Sequence, residues 1–274
     1  YKYRFTIEDK KSLIFGLIKL GVRNFEFFAP NVSKSEARDF VLIKDYVKSL
    51  NVPDIRFLAH CRCHPQDIEE AIKAGFDGLN MYIGMTQYAQ QYSHGMKFAE
   101  IITNVKKIIE TTRKFYPKLY LRFSAEDSFR TPLKDIFQMY DEIYESVDTF
   151  GMPDTVGVAT PTIVKERLME VKKRYPKVDI ECHFHNDRGY SLINSVTAVQ
   201  NGASYIDTSI WGMAERSGIT SVTGLLLNLF YENKSLCQGY DLKLCYPLNV
   251  LMGSIIKLHV SPTEPVSITN RTHT

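Results

Sequence analysis

The amino-acid sequence predicts an α/β protein folded as a closed (β/α)8 (TIM) barrel, followed by the start of a C-terminal helical extension. Short apolar runs rich in β-branched residues alternate with longer amphipathic segments up to about residue 231. Nearly continuous apolar strands indicate a parallel sheet that is buried on both faces. No Gly-x-Gly-x-x-Gly follows the first strand, which disfavours an open dinucleotide-binding sheet. We therefore expect a barrel domain at residues 1–231 and an extension at residues 232–274.

Eight segments have the composition of barrel strands: Tyr3–Phe5, Val22–Phe28, Ile55–Ala59, Gly78–Ile83, Leu119–Ser124, Thr155–Val158, Val178–His183 and Ser204–Thr208. The first runs directly into a helix cap at Thr6, which leaves no loop between strand and helix. The sixth is preceded by too few residues to end a helix and cross the barrel. We therefore expect that residues are missing from the chain at Phe5–Thr6 and at Gly151–Met152.

The helices between these strands carry local start and stop signals. Thr6 with Asp9 three residues later has the pattern of a capping box, and Gly21 ends that helix. Thr131-Pro132 opens another helix, because proline is favoured in the first turn. Further helices are predicted at residues 33–50, 65–75, 97–115 and 161–174 in the barrel and 246–258 in the extension.

Composition restricts the class of protein. The chain has 274 residues, is 44% hydrophobic and carries a net charge of +3, which allows a large core and does not favour nucleic acid as a partner. The sequence contains no run of ~18 apolar residues, so no membrane span is predicted. The first residues do not resemble a signal peptide. Five cysteines in a chain of this size indicate a reducing compartment, so we expect a cytoplasmic location.

The segment Glu181-Cys182-His183-Phe184-His185-Asn186-Asp187 carries the most informative pattern. Side chains alternate across a strand, so Glu181, His183 and His185 project to one face at its end. Two imidazoles beside a carboxylate predict a divalent cation site, with structural, hydrogen-bonded histidines as the alternative. Imidazole ligands favour zinc, whereas water and carboxylate ligands also admit magnesium or manganese.

Polar residues also gather at the ends of other predicted strands. His60 ends the third strand, and Arg122, Ser124 and Glu126 alternate with apolar residues at the end of the fifth. Active sites of (β/α)8 barrels lie at the carboxyl ends of the strands. Although a buried Arg–Glu pair is a common structural feature, several such groups on one rim predict a binding site for a polar ligand.

Several motifs resemble the homocitrate synthase branch of the family that also contains the isopropylmalate and citramalate synthases. They are Arg122-Phe123-Ser124-Ala125-Glu126-Asp127-Ser128-Phe129-Arg130, the His183–His185 segment above, Gly212-Met213-Ala214-Glu215-Arg216-Ser217-Gly218-Ile219-Thr220, His60-Cys61-Arg62-Cys63-His64, Tyr92-Ser93-His94-Gly95 and Asp154-Thr155-Val156-Gly157. The resemblance covers roughly residues 6–229. The occurrence of these motifs in the same order makes it specific for the family and less specific for the substrate.

The resemblance implies a Claisen-type condensation of acetyl-CoA with a 2-oxo acid, by a homodimeric barrel that binds a divalent metal through His183 and His185. It also implies which residues bind the 2-oxo acid: Arg122, Ser124 and Thr155 as contacts, His60 and Glu26 as pocket lining, and Glu181 beside the pocket. An arginine fork suits a carboxylate, and Arg122 favours the dicarboxylic 2-oxoglutarate. Another 2-oxo acid remains open, such as pyruvate, oxaloacetate or 2-oxoisovalerate.

The chain departs from the family in its first strand. Relatives carry an Asp-x-Thr-Leu-Arg-Glu-Gly motif there, which supplies a metal carboxylate and the catalytic arginine, whereas this chain passes from Phe5 to Thr6 without it. No catalytic residue is therefore assigned. The departure supports a third possibility, a non-catalytic relative whose barrel binds a ligand.

Overall fold

The structure, a computed structural model, describes residues 3–259 and residue 266. Within these residues one parallel sheet has its strands in sequential order. The strands are β1 (Asn24–Phe28), β2 (Arg56–Arg62), β3 (Gly78–Gly84), β4 (Tyr120–Glu126), β5 (Thr149–Asp154), β6 (Asp179–Phe184) and β7 (Tyr205–Ile206). Sequential parallel order with helical crossovers is the topology of a barrel wall. The predicted α/β barrel class is therefore confirmed.

Helix α1 precedes β1, and further helices alternate with the strands along the chain and cover the outside of the sheet. They are α1 (Ile7–Leu20), α2 (Lys34–Ser49), α3 (Pro65–Ala74), α4 (Phe98–Phe115), α5 (Leu133–Ile143), α6 (Pro161–Arg174), α7 (Ser191–Gln200), α8 (Val222–Glu232) and α9 (Cys245–Ile256). Among the described residues, no helix is both long and apolar enough to cross a membrane.

The local signals for α1 are realised in the structure. The Asp9 amide donates to Thr6 Oγ1 at 3.2 Å, and the Thr6 amide donates to Asp9 Oδ2 at 2.8 Å, which completes the capping box. Gly21 ends the helix with φ of 121°, a conformation that L side chains rarely adopt. The predicted start and end of this helix are confirmed.

Two of the predicted strands were wrong. Tyr3–Phe5 forms no strand; the Phe5 side chain packs on the apolar side chains of α1, α8 and α9. The sixth strand is not Thr155–Val158 but β5, just before it. The Asp154 carboxylate accepts hydrogen bonds from the amides of Val158 and Ala159 at 3.0 Å each, which folds the β-branched segment into a turn.

The expectation of missing residues has two different outcomes. At Gly151–Met152 it was wrong, because β5 runs through both residues and pairs with β4 and β6 on its two sides. At Phe5–Thr6 the expectation stays a prediction. Within the described residues, β1 and β7 pair with no strand on their outer edges, so the sheet is open between them.

A cavity of about 690 Å³ lies at this opening. Residues of both sheet edges line it, with Asn24, Phe25 and Glu26 from β1 and Tyr205 and Ile206 from β7. Apolar side chains of α1, α8 and α9 form its outer wall, whereas charged side chains of the sheet lie at its inner end. The cavity therefore leads from the open edge of the sheet to the barrel interior.

Tyr140 on α5 joins the helical layer to the centre of the sheet. Its ring is fully buried and stacks on Phe150 of β5, with ring centroids 3.7 Å apart and planes inclined by 4°. Its hydroxyl donates to the Gly151 carbonyl at 3.2 Å. Burial raises the pKa of this hydroxyl well above its usual value, so it acts as a hydrogen-bond donor at neutral pH.

Replacing Tyr140 with phenylalanine should lower the free energy of unfolding by about 0.5–1.5 kcal/mol, the usual contribution of one hydrogen bond. The stacked ring stays in place, so the loss isolates the hydroxyl. Tyr144→Phe is the matched control, because that ring is exposed and its hydroxyl donates to the neighbouring Glu145 side chain. Urea unfolding of both variants checks this; equal losses would contradict the assigned contact.

Candidate active site

The strand register brings polar side chains from β1 to β6 together inside the barrel. His60 pairs in register with Asn80, and Asn80 with Arg122, so these three residues lie side by side on neighbouring strands. Glu26 comes from β1 and Glu181 from β6, on either side of this row. The barrel thus concentrates charged groups in an interior that is otherwise apolar.

Arg122 is the central residue of this cluster and is only 6% exposed. Its Nη2 donates to Glu26 Oε2, and its Nε lies 3.9 Å from Glu181 Oε2. Arg122 Nε and Glu181 Oε1 are both buried and have no hydrogen-bond partner among the described residues. Buried polar atoms rarely remain unpaired, so these two mark a place where a polar ligand or water fits.

The charges of this cluster shift the pKa values of its two carboxyl groups in opposite directions. Burial alone would raise the pKa of Glu26, but the Arg122 charge and the hydrogen bond with His60 outweigh it and lower that pKa to about 2. Burial raises the pKa of Glu181 to about 7, because Arg122 offsets it only in part. The Arg122 guanidinium therefore keeps Glu26 ionised, whereas Glu181 is partly protonated near pH 7.

A hydrogen-bonded network extends from Glu26 to Ser124. The Asn80 amide donates to Glu26 Oε1 at 3.1 Å, and its Nδ2 lies 3.0 Å from His60 Nδ1. Ser124 Oγ donates to Asn80 Oδ1 at 2.7 Å. The His60 ring also stacks on Tyr82, with centroids 4.4 Å apart. The predicted residues His60, Glu26 and Ser124 thus share one network.

Gly151 gives Ser124 and Glu181 the space they occupy. A Cβ atom at this position would lie 1.9 Å from Ser124 Oγ and 3.1 Å from Glu181 Oε2. Any larger residue would therefore have to displace the serine. The glycine that separates β4 from β6 in the sheet is a requirement of the site.

His183 and His185 lie beside each other at the end of β6, with ring centroids 4.7 Å apart. His183 Nδ1 lies 2.7 Å from Asp207 Oδ2, just after β7. His185 Nδ1 is buried and has no hydrogen-bond partner among the described residues. Burial lowers the pKa of His185, which favours the neutral form that ligates metals.

These two imidazoles fit a metal as nitrogen donors. In the part of the chain that the structure describes, no group of three or more histidine, cysteine or acidic side chains is arranged to hold a metal ion. The pair therefore fits a metal whose remaining positions are filled by ligand or water oxygens. The unpaired, neutral His185 is the observation that supports this fit.

Thr155 is a predicted site residue that lies outside the Arg122 network. Its hydroxyl accepts a hydrogen bond from the Asp127 amide at 2.9 Å, and its carbonyl accepts one from Arg216 Nη2 at 2.7 Å. Arg216 also makes a bidentate pair with Asp187, at 2.9 Å for both bonds. Arg216 therefore ties together the loops that follow β5 and β6 at the rim of the barrel.

Sequence reasoning missed Asn80 and Asp207. Asn80 lies between Leu79 and Met81 in a predicted buried strand, so a polar residue in an apolar run was an available signal. Asp207 follows Ile206 at the end of the last strand and was equally visible there. Its partner could not be predicted, because the contact with His183 depends on the pairing of β6 and β7.

The fold and the side chains define the class of protein: an α/β barrel with a cluster of charged and polar side chains in its interior. Residues 1–248 match the model of the HMGL-like family. The chain belongs to the HMGL-like family.

Curated relatives agree with this membership, and a solved structure shares the fold. The chain is 34% identical over 266 residues to the mitochondrial homocitrate synthase of Yarrowia lipolytica, covering 96% of this chain and 58% of that protein. It is 32% identical over 266 residues to the cytosolic homocitrate synthase isozyme of Saccharomyces cerevisiae, covering 96% and 60%. The chain thus spans about three fifths of the length of these relatives. The HMG-CoA lyase of Bacillus subtilis has the same fold, with a TM-score of 0.77 at 19% identity over 98% of this chain and 93% of that one.

The raised pKa of Glu181 predicts a pH-dependent stability. In the unfolded chain this group titrates near 4.5 and in the folded protein near 7. Between these values the folded state holds the proton that the unfolded state releases, so stability falls as pH rises through this window. Glu181→Gln should remove that loss, which is of the order of 1–3 kcal/mol.

Urea unfolding at pH 5 and pH 8 measures the effect. The stability difference between the two pH values should be smaller for Glu181→Gln than for the natural protein. Glu170→Gln on the exposed face of α6 is the control and should leave the difference unchanged. An unchanged difference in the Glu181 variant would contradict the assigned protonation.

Proposed function

We propose that this barrel is an acyltransferase that condenses acetyl-CoA with a 2-oxo acid, after which water cleaves the thioester of the product, with 2-oxoglutarate as the preferred substrate and homocitrate and CoA as products. The observation that carries this proposal is the buried Arg122 guanidinium with an unpaired Nε, in the same barrel interior as the paired histidines. The homocitrate synthases to which the chain is similar support the reaction type and the substrate.

The 2-oxo acid would bind at Arg122. One side of the guanidinium is held by Glu26, so a substrate carboxylate would approach the Nε side, which faces Glu181. The protonated form of Glu181, which is populated because its pKa is raised to about 7, does not repel that carboxylate and can offer a hydrogen bond. Ser124, His60 and Thr155 would complete the substrate contacts as the sequence motifs imply.

A divalent cation, zinc, magnesium or manganese, would be held by His183 and His185. When bound, it would polarise the keto carbonyl as a Lewis acid. The residues of the chain would orient the 2-oxo acid so that the methyl carbon of the acetyl group can form a bond to the keto carbon of the 2-oxo acid. Arg122 restricts this orientation because a planar fork fixes a carboxylate in two-point contact.

The alternative is the same chemistry on a monocarboxylic or shorter 2-oxo acid. A specific observation favours it: Glu26 already neutralises part of the Arg122 charge, which leaves less attraction for a second carboxylate. A non-catalytic, ligand-binding relative is the remaining possibility, and the assay below distinguishes it from both enzymes.

We also propose the wider setting of the protein. The catalytic barrel comprises residues 1–231 and the extension begins in residues 232–274; the protein works as a homodimer on small molecules, without nucleic acid or membrane partners. Cytoplasm is the preferred compartment because the cysteine usage favours reducing conditions, although the relatives above include a mitochondrial and a cytosolic enzyme.

The direct test is an assay of CoA release from acetyl-CoA with separate additions of 2-oxoglutarate, pyruvate, oxaloacetate and 2-oxoisovalerate. Release should be fastest with 2-oxoglutarate and should stop when a chelator removes the metal. A reaction without 2-oxo acid corrects for simple hydrolysis. Fastest release with another acid would favour the alternative, and saturable binding of a 2-oxo acid without release would favour the non-catalytic reading.

Arg122→Ala should weaken 2-oxoglutarate binding by ~2–4 kcal/mol if Arg122 holds the distal carboxylate, the scale of a truncated charge pair. Pyruvate, which lacks that carboxylate, should lose far less. Arg122→Lys keeps the charge that balances Glu26 and should preserve the fold while losing the fork. Arg174→Ala is the control, since that arginine lies on exposed α6 and pairs with Asp141.

Calorimetric titration of each variant with both acids checks the prediction. Circular dichroism should first establish that the variants fold. Equal losses on the two substrates would mean that Arg122 binds the end that all 2-oxo acids share.

A further inference from the structure

The carboxylate of Asp207 lies beside the histidine pair, and the sequence motifs give this residue no role. It follows β7, and its amide donates to the Cys182 carbonyl of β6 at 2.9 Å, which fixes its backbone beside that strand. Its carboxylate then lies 2.7 Å from His183 Nδ1. Asp207 also lines the cavity at the open edge of the sheet.

We propose that Asp207 is a positioning residue that fixes the tautomer and the ring orientation of His183 for metal binding. This inference rests on the proposed function, because it assumes that His183 ligates a cation. A carboxylate accepts hydrogen bonds and has none to donate, so the neutral imidazole must carry its proton on Nδ1. The lone pair is then on Nε2, across the ring from Asp207.

The two histidines differ in this respect. His183 has a fixed partner on Nδ1, whereas His185 Nδ1 has no partner among the described residues. Their rings lie at 69° to each other with centroids 4.7 Å apart, so rotation of His183 would disturb the pair. A carboxylate behind a ligating imidazole raises its basicity and holds its ring, and removing it typically costs 10–100-fold in metal affinity.

Three variants separate the contributions of the Asp207 side chain. Asp207→Ala removes the acceptor, Asp207→Asn replaces the acceptor-only carboxylate with an uncharged amide that can also donate, and Asp207→Glu keeps the charge on a longer stem. Asp179→Ala is the matched control, because Asp179 lies on the same strand as His183 but at its opposite end, where its carboxylate accepts a bond from Ser204 at 2.6 Å.

The first readout is the tautomer of His183 in the metal-free protein, measured by ¹⁵N NMR of the imidazole nitrogens. The natural protein and the Asp179 control should show the proton on Nδ1. The asparagine variant should lose this preference, because its amide can donate to Nδ1 as well as accept from it. Asp207→Ala should show a mixture of tautomers. A natural protein with the proton on Nε2, or an unchanged pattern in Asp207→Ala, would overturn the proposal whatever the enzyme does.

The second readout is Zn²⁺ affinity, measured by competition with a chromogenic chelator. Asp207→Ala should bind about 10–100-fold more weakly than the natural protein, Asp207→Asn should lie between them, and Asp207→Glu should restore part of the loss. Equal affinity of Asp207→Ala and the natural protein would refute positioning. Absence of Zn²⁺ binding by the natural protein would instead count against the proposed function, while the NMR readout still decides the role of Asp207.

The fold of the variants is checked by thermal unfolding. If Asp207→Ala does not fold, the asparagine and glutamate variants carry the test, since both keep an acceptor of similar size. A purely structural role predicts that these two variants differ from the natural protein in stability alone and keep its tautomer pattern and Zn²⁺ affinity.

Discussion

The buried guanidinium of Arg122 is the constraint on which the rest of the site depends. A permanent charge in a barrel interior is costly unless opposite charges and hydrogen bonds surround it. Glu26 supplies the close partner from β1 and Glu181 the distant one from β6. The three strands must therefore keep their register, and Gly151 must stay small, for the charges to be balanced.

This charge balance is also the basis on which we propose that the site binds an anion. Two carboxylates share one guanidinium, so the more distant one, Glu181, is partly protonated near neutral pH. Arg122 Nε is then an unpaired hydrogen-bond donor, and Glu181 Oε1 is an unpaired oxygen in the same cluster. Both atoms are buried in the protein interior. A carboxylate ligand would satisfy both, whereas an apolar ligand would leave both unpaired. His183 lies on the same strand as Glu181 and His185 follows its end, so our proposal assigns both groups to one ligand.

The helices and the barrel class could be predicted from the sequence because their signals are local. The Thr6–Asp9 capping box and Gly21 each act within a few residues. Strand limits were less predictable, since the Val156–Val158 segment has strand composition but is turned by hydrogen bonds to Asp154. The polar residues of the candidate site were visible near strand ends, and this predicted Arg122 and the histidines as site residues. Their partners were not visible: Glu26 lies 96 residues from Arg122, and only the sheet register joins them.

The central claim is that Arg122 and the two histidines act on one ligand. X-ray diffraction at a metal absorption edge, from crystals grown with Zn²⁺ and 2-oxoglutarate, tests it most directly. Our account predicts one anomalous peak with metal-to-nitrogen distances of ~2.0–2.3 Å to both His183 and His185. It also predicts that one substrate carboxylate contacts Arg122. A metal bound elsewhere, or a 2-oxoglutarate molecule that reaches the metal without contacting Arg122, would contradict the account.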